Sequence, residues 1–294
     1  MNSKKILYFA YGSNLDFEDW SKWCLEREED PSRLIEVESA FLPDYKLKFH
    51  YYSSGRKGGA ADIVEAGKGS IVPGVLFELD EYTVALMDRK EGVKGKSYQR
   101  KKVHVITLSG SVTEALTYVV CQESIRDKFI EPTADYANLI RNGLEKRGLP
   151  TDFLDAAIND DSSSCKLNRV FVYGTLMNGE SRHSAIENSN LEFVNSGFIK
   201  GSLMHISDYP GLVYNSKSKV LGELYSCEDI AETLDKFDQI EGFFDYQSSD
   251  SLFTRIISKI EFQGNIALAW TYLFNGLDGK EIPSGNWRNR NQLC

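Results

Sequence analysis

Two glutamates in this chain sit in the same local setting. One closes Met87-Asp88-Arg89-Lys90-Glu91-Gly92, the other Phe237-Asp238-Gln239-Ile240-Glu241-Gly242. The spacing predicts a helix over 80–91 and another over 229–241. Ile230, Leu234 and Phe237 stand 11, 7 and 4 residues before Glu241. At ~3.6 residues per turn all four share one side of a helix. Val84 and Met87 stand 7 and 4 residues before Glu91 in the same way. Each carboxylate therefore continues an apolar stripe and points inward. Burial and the negative end of the helix dipole both disfavour its charge. A carboxyl raised toward neutrality in this way can take up a proton and return it. A frayed, solvated Glu before a helix-ending Gly is the plain alternative. Its occurrence at two equivalent places favours chemistry.

Upstream of each helix an apolar, aromatic strand runs into glycine. The first is Ile6-Leu7-Tyr8-Phe9-Ala10-Tyr11-Gly12-Ser13-Asn14-Leu15 and the second is Val170-Phe171-Val172-Tyr173-Gly174-Thr175-Leu176-Met177. A strand that stops at Gly-Ser or Gly-Thr leaves backbone N–H groups unpaired, and these can hold an anion or an oxyanion. Gly beside Ser or Asn is also ordinary turn chemistry. Each strand–Gly motif with its glutamate makes a candidate site: Tyr11, Gly12, Ser13, Asn14 and Leu15 with Glu91, and Tyr173, Gly174, Thr175, Leu176 and Met177 with Glu241.

The elements that must position these residues follow from periodicity. In the first half a helix is expected over 16–27, then a loosely alternating stretch over 34–52 with a strand at 45–49. A Gly/Ser hairpin loop follows at 53–59, with strands at 60–64, 70–79, 98–108 and 114–120. Asp80 is a plausible N-cap, and a helix over 135–147 is closed by Gly148. The second half repeats the order with strands at 169–173, 193–204, 211–214, 220–225, 254–262 and 267–274. Strands outnumber helices and βαβα alternation is absent. The expected class is α+β with a curled sheet or barrel in each half. Asn159-Asp160-Asp161-Ser162-Ser163-Ser164 is the most linker-like stretch. It divides the chain into residues 1–158, a linker 159–167 and residues 168–294.

Bulk properties narrow the function classes. The 294 residues suffice for about two domains. The net charge of −9 argues against a nucleic-acid or anionic-membrane partner, which needs clustered Lys and Arg. The five cysteines, Cys24, Cys121, Cys165, Cys227 and Cys294, form no C-x-x-C pair. This suits free thiols in a reducing cytoplasm. The four histidines lack metal-ligand spacing, so no metal is expected. The apolar run near the N-terminus is shorter than the ~7–15 residues of a signal core and reads as a first strand. No window approaches the ~18 apolar residues of a membrane helix.

Other features are weaker. The stretch 92–97 ends like a P-loop, but Lys90 stands where that motif needs Gly, and a strand rather than a helix follows. Arg56 and Lys57 in the loop 55–59 read as hairpin residues. His183 and His205 read as ordinary, and Asp88, Asp235 and Asp238 as solvated helix charges.

The first half resembles γ-glutamylcyclotransferase in YFAYGSNL (8–15), GAADIVEAGKGSIVPGVLFEL (59–79), LMDRKEGVKGKSYQR (86–100) and YANLIRNGLEKRGLP (136–150). The second half resembles the γ-glutamylamine cyclotransferase, or AIG2-like, branch of that superfamily in VFVYGTLMNGESRH (170–183), YPGLV (209–213), VLGELY (220–225) and LDKFDQIEG (234–242). The resemblance implies a mixed β-barrel with flanking helices in each half. It implies release of 5-oxoproline from a γ-glutamyl amine or amino acid without a cofactor, and a link to glutathione metabolism. It places the glutamyl moiety on Tyr11 to Leu15 and Tyr173 to Met177, with Tyr98 beside it and Glu91 and Glu241 as proton carriers. The implied partner is a small γ-glutamyl molecule, and the implied assembly a monomer (an internal pseudo-dimer) or a homodimer. The chain departs from the pattern in its tandem layout, in Leu176 for Asn14 and in Phe253 for Tyr98, where Tyr246 is a candidate replacement hydroxyl. One active half with a binding or packing partner is an alternative. A γ-glutamyl-removing enzyme of natural-product assembly is another.

Overall fold

The computed structural model describes residues 5–161, 165–187, 189–276 and 278–292. The expected linker serines Ser162 to Ser164, and Cys294, lie outside the described residues. The chain divides into two compact units, one made by residues to Lys166 (the turn 108–112 apart) and one from Leu167 onward.

The first unit runs β1 (Ile6–Ala10), α1 (Phe17–Leu25), β2 (Ile35–Pro43), β3 (Tyr45–Ser53), β4 (Gly58–Glu65), β5 (Ile71–Leu79), α2 (Glu81–Lys90), β6 (Tyr98–Thr107), β7 (Val112–Val120), α3 (Ala134–Glu145) and α4 (Asp152–Ile158). Strands β1-β5-β2-β6-β7 form a closed barrel, shut by the parallel pairing of Tyr8 with Leu116. The β3–β4 pair is a separate two-stranded sheet. The second unit runs β8 (Arg169–Val172), α5 (Ser184–Glu187), β9 (Leu191–Lys200), β10 (Ser202–His205), β11 (Pro210–Val213), β12 (Lys219–Cys227), α6 (Ile230–Glu241), β13 (Phe253–Phe262), β14 (Asn265–Phe274) and β15 (Lys280–Glu281). Strands β8-β12-β9-β13-β14 close a second barrel in the same strand order, with Trp270 beside Val170 at the parallel closure. Outside it, β11-β10-β15 form a three-stranded sheet. Two mixed barrels with flanking helices are the expected class.

Local sequence explains the helix starts. Asp16, Asp80 and Asp229 each accept the backbone N–H three residues on, at 2.9, 2.7 and 3.1 Å. Such caps satisfy a donor that the first helical turn leaves open, and each is worth ~1 kcal/mol. Barrel closure has a second local determinant. A Cβ on Gly74 would lie 2.3 Å from the Ala10 carbonyl oxygen and against the Phe9 ring. On Gly222 it would lie 2.3 Å from the Val172 oxygen and against Phe171. Only glycine lets β5 and β12 press this closely on the strands that lead into the two Tyr-Gly motifs.

Four expectations change. The stretch 34–52 is two strands, because Asp44 turns the chain with φ +65°, a conformation Asp tolerates better than most residues. The stretch 193–204 is likewise broken at Gly201. Helix α4 was not expected. Its Phe153, Leu154, Ala156 and Ala157 are buried, and it packs on β3. Seven residues give too little periodicity to show in the sequence. Cys165 is buried and Lys166 bridges to Ser70, so the end of the expected linker is part of the first unit. The four described cysteines are free thiols. No helix among the described residues is long and apolar enough to cross a membrane.

Candidate active sites

In the first unit a small cleft opens between the end of β1 and the end of α2. Tyr11, Gly12, Ser13 and Asn14 form one side, Glu91 and Tyr98 the other. The expected residues thus converge, with one exception. Leu15 is 1% exposed and packs against Gly143 of α3, away from the cleft. Its N–H is also spent, on the Gly12 carbonyl at 3.0 Å, closing a one-turn 3₁₀ helix over 13–15.

Glu91 is the C-cap of α2, where the helix dipole is negative. Asn14 Nδ2 donates to Glu91 Oε1 at 2.7 Å and to Tyr8 Oη at 2.8 Å. The amide is held in this orientation by charge. Lys90 Nζ, which can only donate, binds Asn14 Oδ1 at 2.8 Å. Lys90 in turn pairs with Asp19 at 2.9 Å, and Arg56 grips the same carboxylate through two 2.7 Å bonds. Arg56 also donates to the Ser13 hydroxyl at 3.1 Å. Burial opposes the Asp19 charge, yet the Arg56 bonds and the Lys90 charge bring its carboxyl down to about 2. Glu91 moves the other way. Burial pushes its pKa up, and the Lys90 charge, the Asn14 bond and the Arg56 charge offset part of that rise.

Tyrosines line much of the cleft. Tyr11 donates to the Tyr118 carbonyl at 2.6 Å, and Tyr98 to the Ala61 carbonyl at 2.7 Å. Tyr136 accepts the Ala61 N–H at 3.2 Å. Tyr118 donates to Asp88 at 2.8 Å, and Arg100 clamps Asp88 with bonds of 2.8 and 2.5 Å. Asp88 is therefore a fixed group that ties α2 to the barrel.

The second unit repeats this plan with different chemistry. Its cavity is lined by Tyr173, Gly174, Thr175, Leu176 and Glu241. Met177 does not reach it. Met177 is fully buried, and its N–H closes the turn on the Gly174 carbonyl at 3.0 Å. Tyr173 donates to the Tyr272 carbonyl at 2.8 Å, as Tyr11 does to Tyr118. Tyr272 donates to Asp238 at 2.8 Å, and Arg255 binds Asp238 at 2.7 Å. Asp238, expected as a solvated charge, is 5% exposed. Its partners come from β13 and β14, far away in sequence. Tyr246 does not replace the hydroxyl missing at Phe253, because its oxygen accepts Arg255 Nε at 3.1 Å outside the cavity. Leu176 brings no amide to Glu241. Burial raises the Glu241 carboxyl to about 7, and only Arg182, also on the cavity wall, pulls against it.

Both units thus place a buried-end glutamate opposite a Tyr-Gly strand end on the same barrel. The family description "Gamma-glutamyl cyclotransferase, AIG2-like" matches residues 8–138 and again 170–289. The chain belongs to this family. A γ-glutamyl cyclotransferase-type enzymatic role follows in general terms. The chain is 34% identical over 120 residues, 40% of its length and 74% of the relative's, to the γ-L-glutamyl-butirosin B γ-glutamyl cyclotransferase of Niallia circulans. It is 30% identical over 158 residues, 52% of its length and 77% of the relative's, to the γ-glutamylcyclotransferase of Bos taurus. A solved γ-glutamyl cyclotransferase structure aligns at 28% identity over 52% of this chain and 86% of that one, with TM-score 0.45.

Sequence reasoning passed over Lys90, Tyr8, Tyr136, Arg182 and Thr271. The first four carry weak signals, since a Lys beside a helix-end Glu or a Tyr in a strand is commonplace. Their roles depend on contacts between distant segments.

Proposed function

We propose that each unit is a cofactor-independent γ-glutamyl cyclotransferase that releases 5-oxoproline, with Glu91 and Glu241 as the proton carriers. The observation that supports this most is the Glu91 carboxylate, pushed up by burial and fixed 2.7 Å from Asn14 on the rim of the Tyr-Gly turn. The substrate carries its own nucleophile. Glu91 takes a proton from the α-ammonium. The freed amine attacks the γ-carbonyl of the same molecule and closes a five-membered ring, which orientation alone accelerates strongly. The tetrahedral oxyanion lies against backbone N–H groups at Ser13 and Asn14, at the open end of the 3₁₀ turn. Protonated Glu91 then gives its proton to the leaving nitrogen, the C–N bond breaks, the ring nitrogen's surplus proton passes through Glu91 to the released amine, and 5-oxoproline and the ammonium product depart. The two aims of the carboxyl, first base and then acid, are served by a pKa moved toward neutrality.

The test is 5-oxoproline release from γ-glutamyl-alanine, γ-glutamyl-lysine and glutathione by the full chain and by Glu91→Gln, Glu241→Gln and the double variant. Each single variant is expected to abolish one component of activity and the double variant both. A double variant with undiminished turnover refutes the assignment of proton transfer to these residues. The similarity to the butirosin-processing relative supports a second reading, a bulky γ-glutamylated amine as substrate, and a γ-glutamylated aminoglycoside belongs in the same panel.

A further inference from the structure

The second cavity contains two polar groups that the catalytic scheme leaves unused. Arg182 lies on its wall, and among the described residues it makes no ion pair. Its one side-chain hydrogen bond there is a long one, 3.5 Å from Nη1 to the Ile240 carbonyl. Its backbone is anchored, because its N–H donates to the Thr175 carbonyl at 2.8 Å. Thr271 is 1% exposed, lines the same cavity, and its hydroxyl has no hydrogen-bond partner among the described residues. The equivalent hydroxyl in the first unit, Thr117, donates to the Phe9 carbonyl at 2.9 Å. A buried hydroxyl without a partner is costly and in native structures usually awaits a ligand or a water.

The first cleft is built differently: Arg56 and Lys90 share the single carboxylate of Asp19, and neither lines the cleft. The second cavity therefore presents a guanidinium with no ion pair among the described residues, a hydroxyl with no hydrogen-bond partner among them, and the Glu241 carboxyl, around apolar walls that include Leu176, Pro210 and Phe253. That set complements an α-amino-acid head: carboxylate to Arg182, ammonium to Glu241, a further substrate oxygen to Thr271.

We propose that Arg182 and Thr271 are the recognition residues of the second cavity, with Arg182 anchoring the α-carboxylate of a γ-glutamyl compound. This rests on the cyclotransferase reading for its choice of ligand. In such a compound the carboxylate and the α-nitrogen hang on one carbon. An arginine bonded to the residue preceding Glu241 therefore sets the α-nitrogen beside the base. Guanidinium binds carboxylate through two parallel bonds, which fixes orientation as well as position. In the first unit the cations near the cleft are already bonded to Asp19, so the two sites are expected to differ in how they hold that carboxylate.

The experiment uses the full chain carrying Glu91→Gln, so that only the second site turns over. The substrates are γ-glutamyl-alanine and its analogue with the α-carboxylate converted to carboxamide. The Glu91→Gln protein is expected to prefer the carboxylate by roughly 10- to 100-fold in kcat/KM, the worth of one charge-assisted pair. Adding Arg182→Met is expected to erase that preference mainly through KM, and Arg182→Lys to restore part of it. Thr271→Val, nearly isosteric, is expected to weaken both substrates alike by several-fold. If Arg182→Met still discriminates carboxylate from carboxamide, the anchor is elsewhere and the proposal fails. If the Glu91→Gln protein releases no 5-oxoproline, the catalytic reading of this unit fails instead. The anchor is then judged by calorimetry on the Glu91→Gln, Glu241→Gln protein with γ-glutamyl-alanine. Loss of one of two binding sites on adding Arg182→Met supports it, and an unchanged isotherm overturns it.

Discussion

Glu91 and Glu241 occupy the same place on the same barrel and live in different electrostatic surroundings. Glu91 receives Asn14 and lies near Lys90 and Arg56. Glu241 faces Leu176 and has only Arg182 to offset burial. The supporting pair shows the reverse. Arg255 and Asp238 have side chains 1% and 7% exposed, whereas Arg100 and Asp88 stand at 47% and 26%. The first unit keeps its more buried charges near Glu91, and the second keeps its buried pair between α6 and strands β13 and β14. One scaffold thus tunes a carboxyl by two routes, with an amide bond and nearby charges in one unit and mainly with burial in the other.

The sharpest way to break the comparison is to remove the supporting arginines. Arg255→Met leaves the buried Asp238 charge without its arginine, with the Tyr272 hydrogen bond still in place, and is expected to cost about 3–5 kcal/mol in denaturant unfolding of the second unit. Arg100→Met, at a half-exposed pair, is expected to cost about 1 kcal/mol or less. Equal losses would mean the two pairs are not the contrast their burial indicates.

Next comes the exchange of the residue that donates to Glu91. Asn14→Leu is expected to slow 5-oxoproline release by the first unit roughly 10- to 100-fold, about 1.5–3 kcal/mol for one hydrogen bond to a charged group. The acid limb of its pH profile should move upward, because the bond that favours the carboxylate is gone. Read in the Glu241→Gln protein, an unmoved limb would show that Asn14 does not tune Glu91.

A third effect concerns pH. A base works when deprotonated, so the second unit, isolated kinetically by Glu91→Gln, should lose rate as pH falls through about 7. The first unit's limb should lie lower, given the three groups that favour its carboxylate. Stability follows the opposite sense. The folded second unit holds a proton that the unfolded chain releases near pH ~4.3, so stability falls as pH rises from there to about 7. Glu241→Gln is expected to stabilise the protein by about 1–3 kcal/mol at pH 8 and to be near neutral at pH 4. Smallest is Tyr98→Phe, which makes the first site resemble Phe253. Loss of the 2.7 Å bond to Ala61 should cost about 1 kcal/mol by thermal unfolding.

Much of this arrangement could be read from sequence, for physical reasons. The inward glutamates followed from helix period, because Val84 and Met87, or Leu234 and Phe237, fix the face before any tertiary contact forms. Asp16, Asp80 and Asp229 were legible as caps or helix starts because capping is local. Asp238 was misjudged because its partners lie 17 and 34 residues away on strands, and no local rule foretells that meeting. Lys90 was missed for a related reason. Its part depends on Asn14, 76 residues distant, and on Asp19, 71 residues distant. Leu15 and Met177 were placed with their neighbours by motif continuity. A one-turn helix, however, rotates its last residue into the core.

The glycines at 74 and 222 have a consequence beyond packing. By clamping the barrel to the strand that ends in Tyr-Gly, they hold the distance from turn to glutamate independent of whatever lies outside the barrel. The outer wall is then free to vary: β4 and α3 supply Ala61 and Tyr136 in one unit, β11 supplies Pro210 in the other. The strand end with its glutamate and the outer wall can vary separately in such a scaffold. A copied unit can change one wall by exchanging one hairpin, with its Tyr-Gly turn and glutamate left in register.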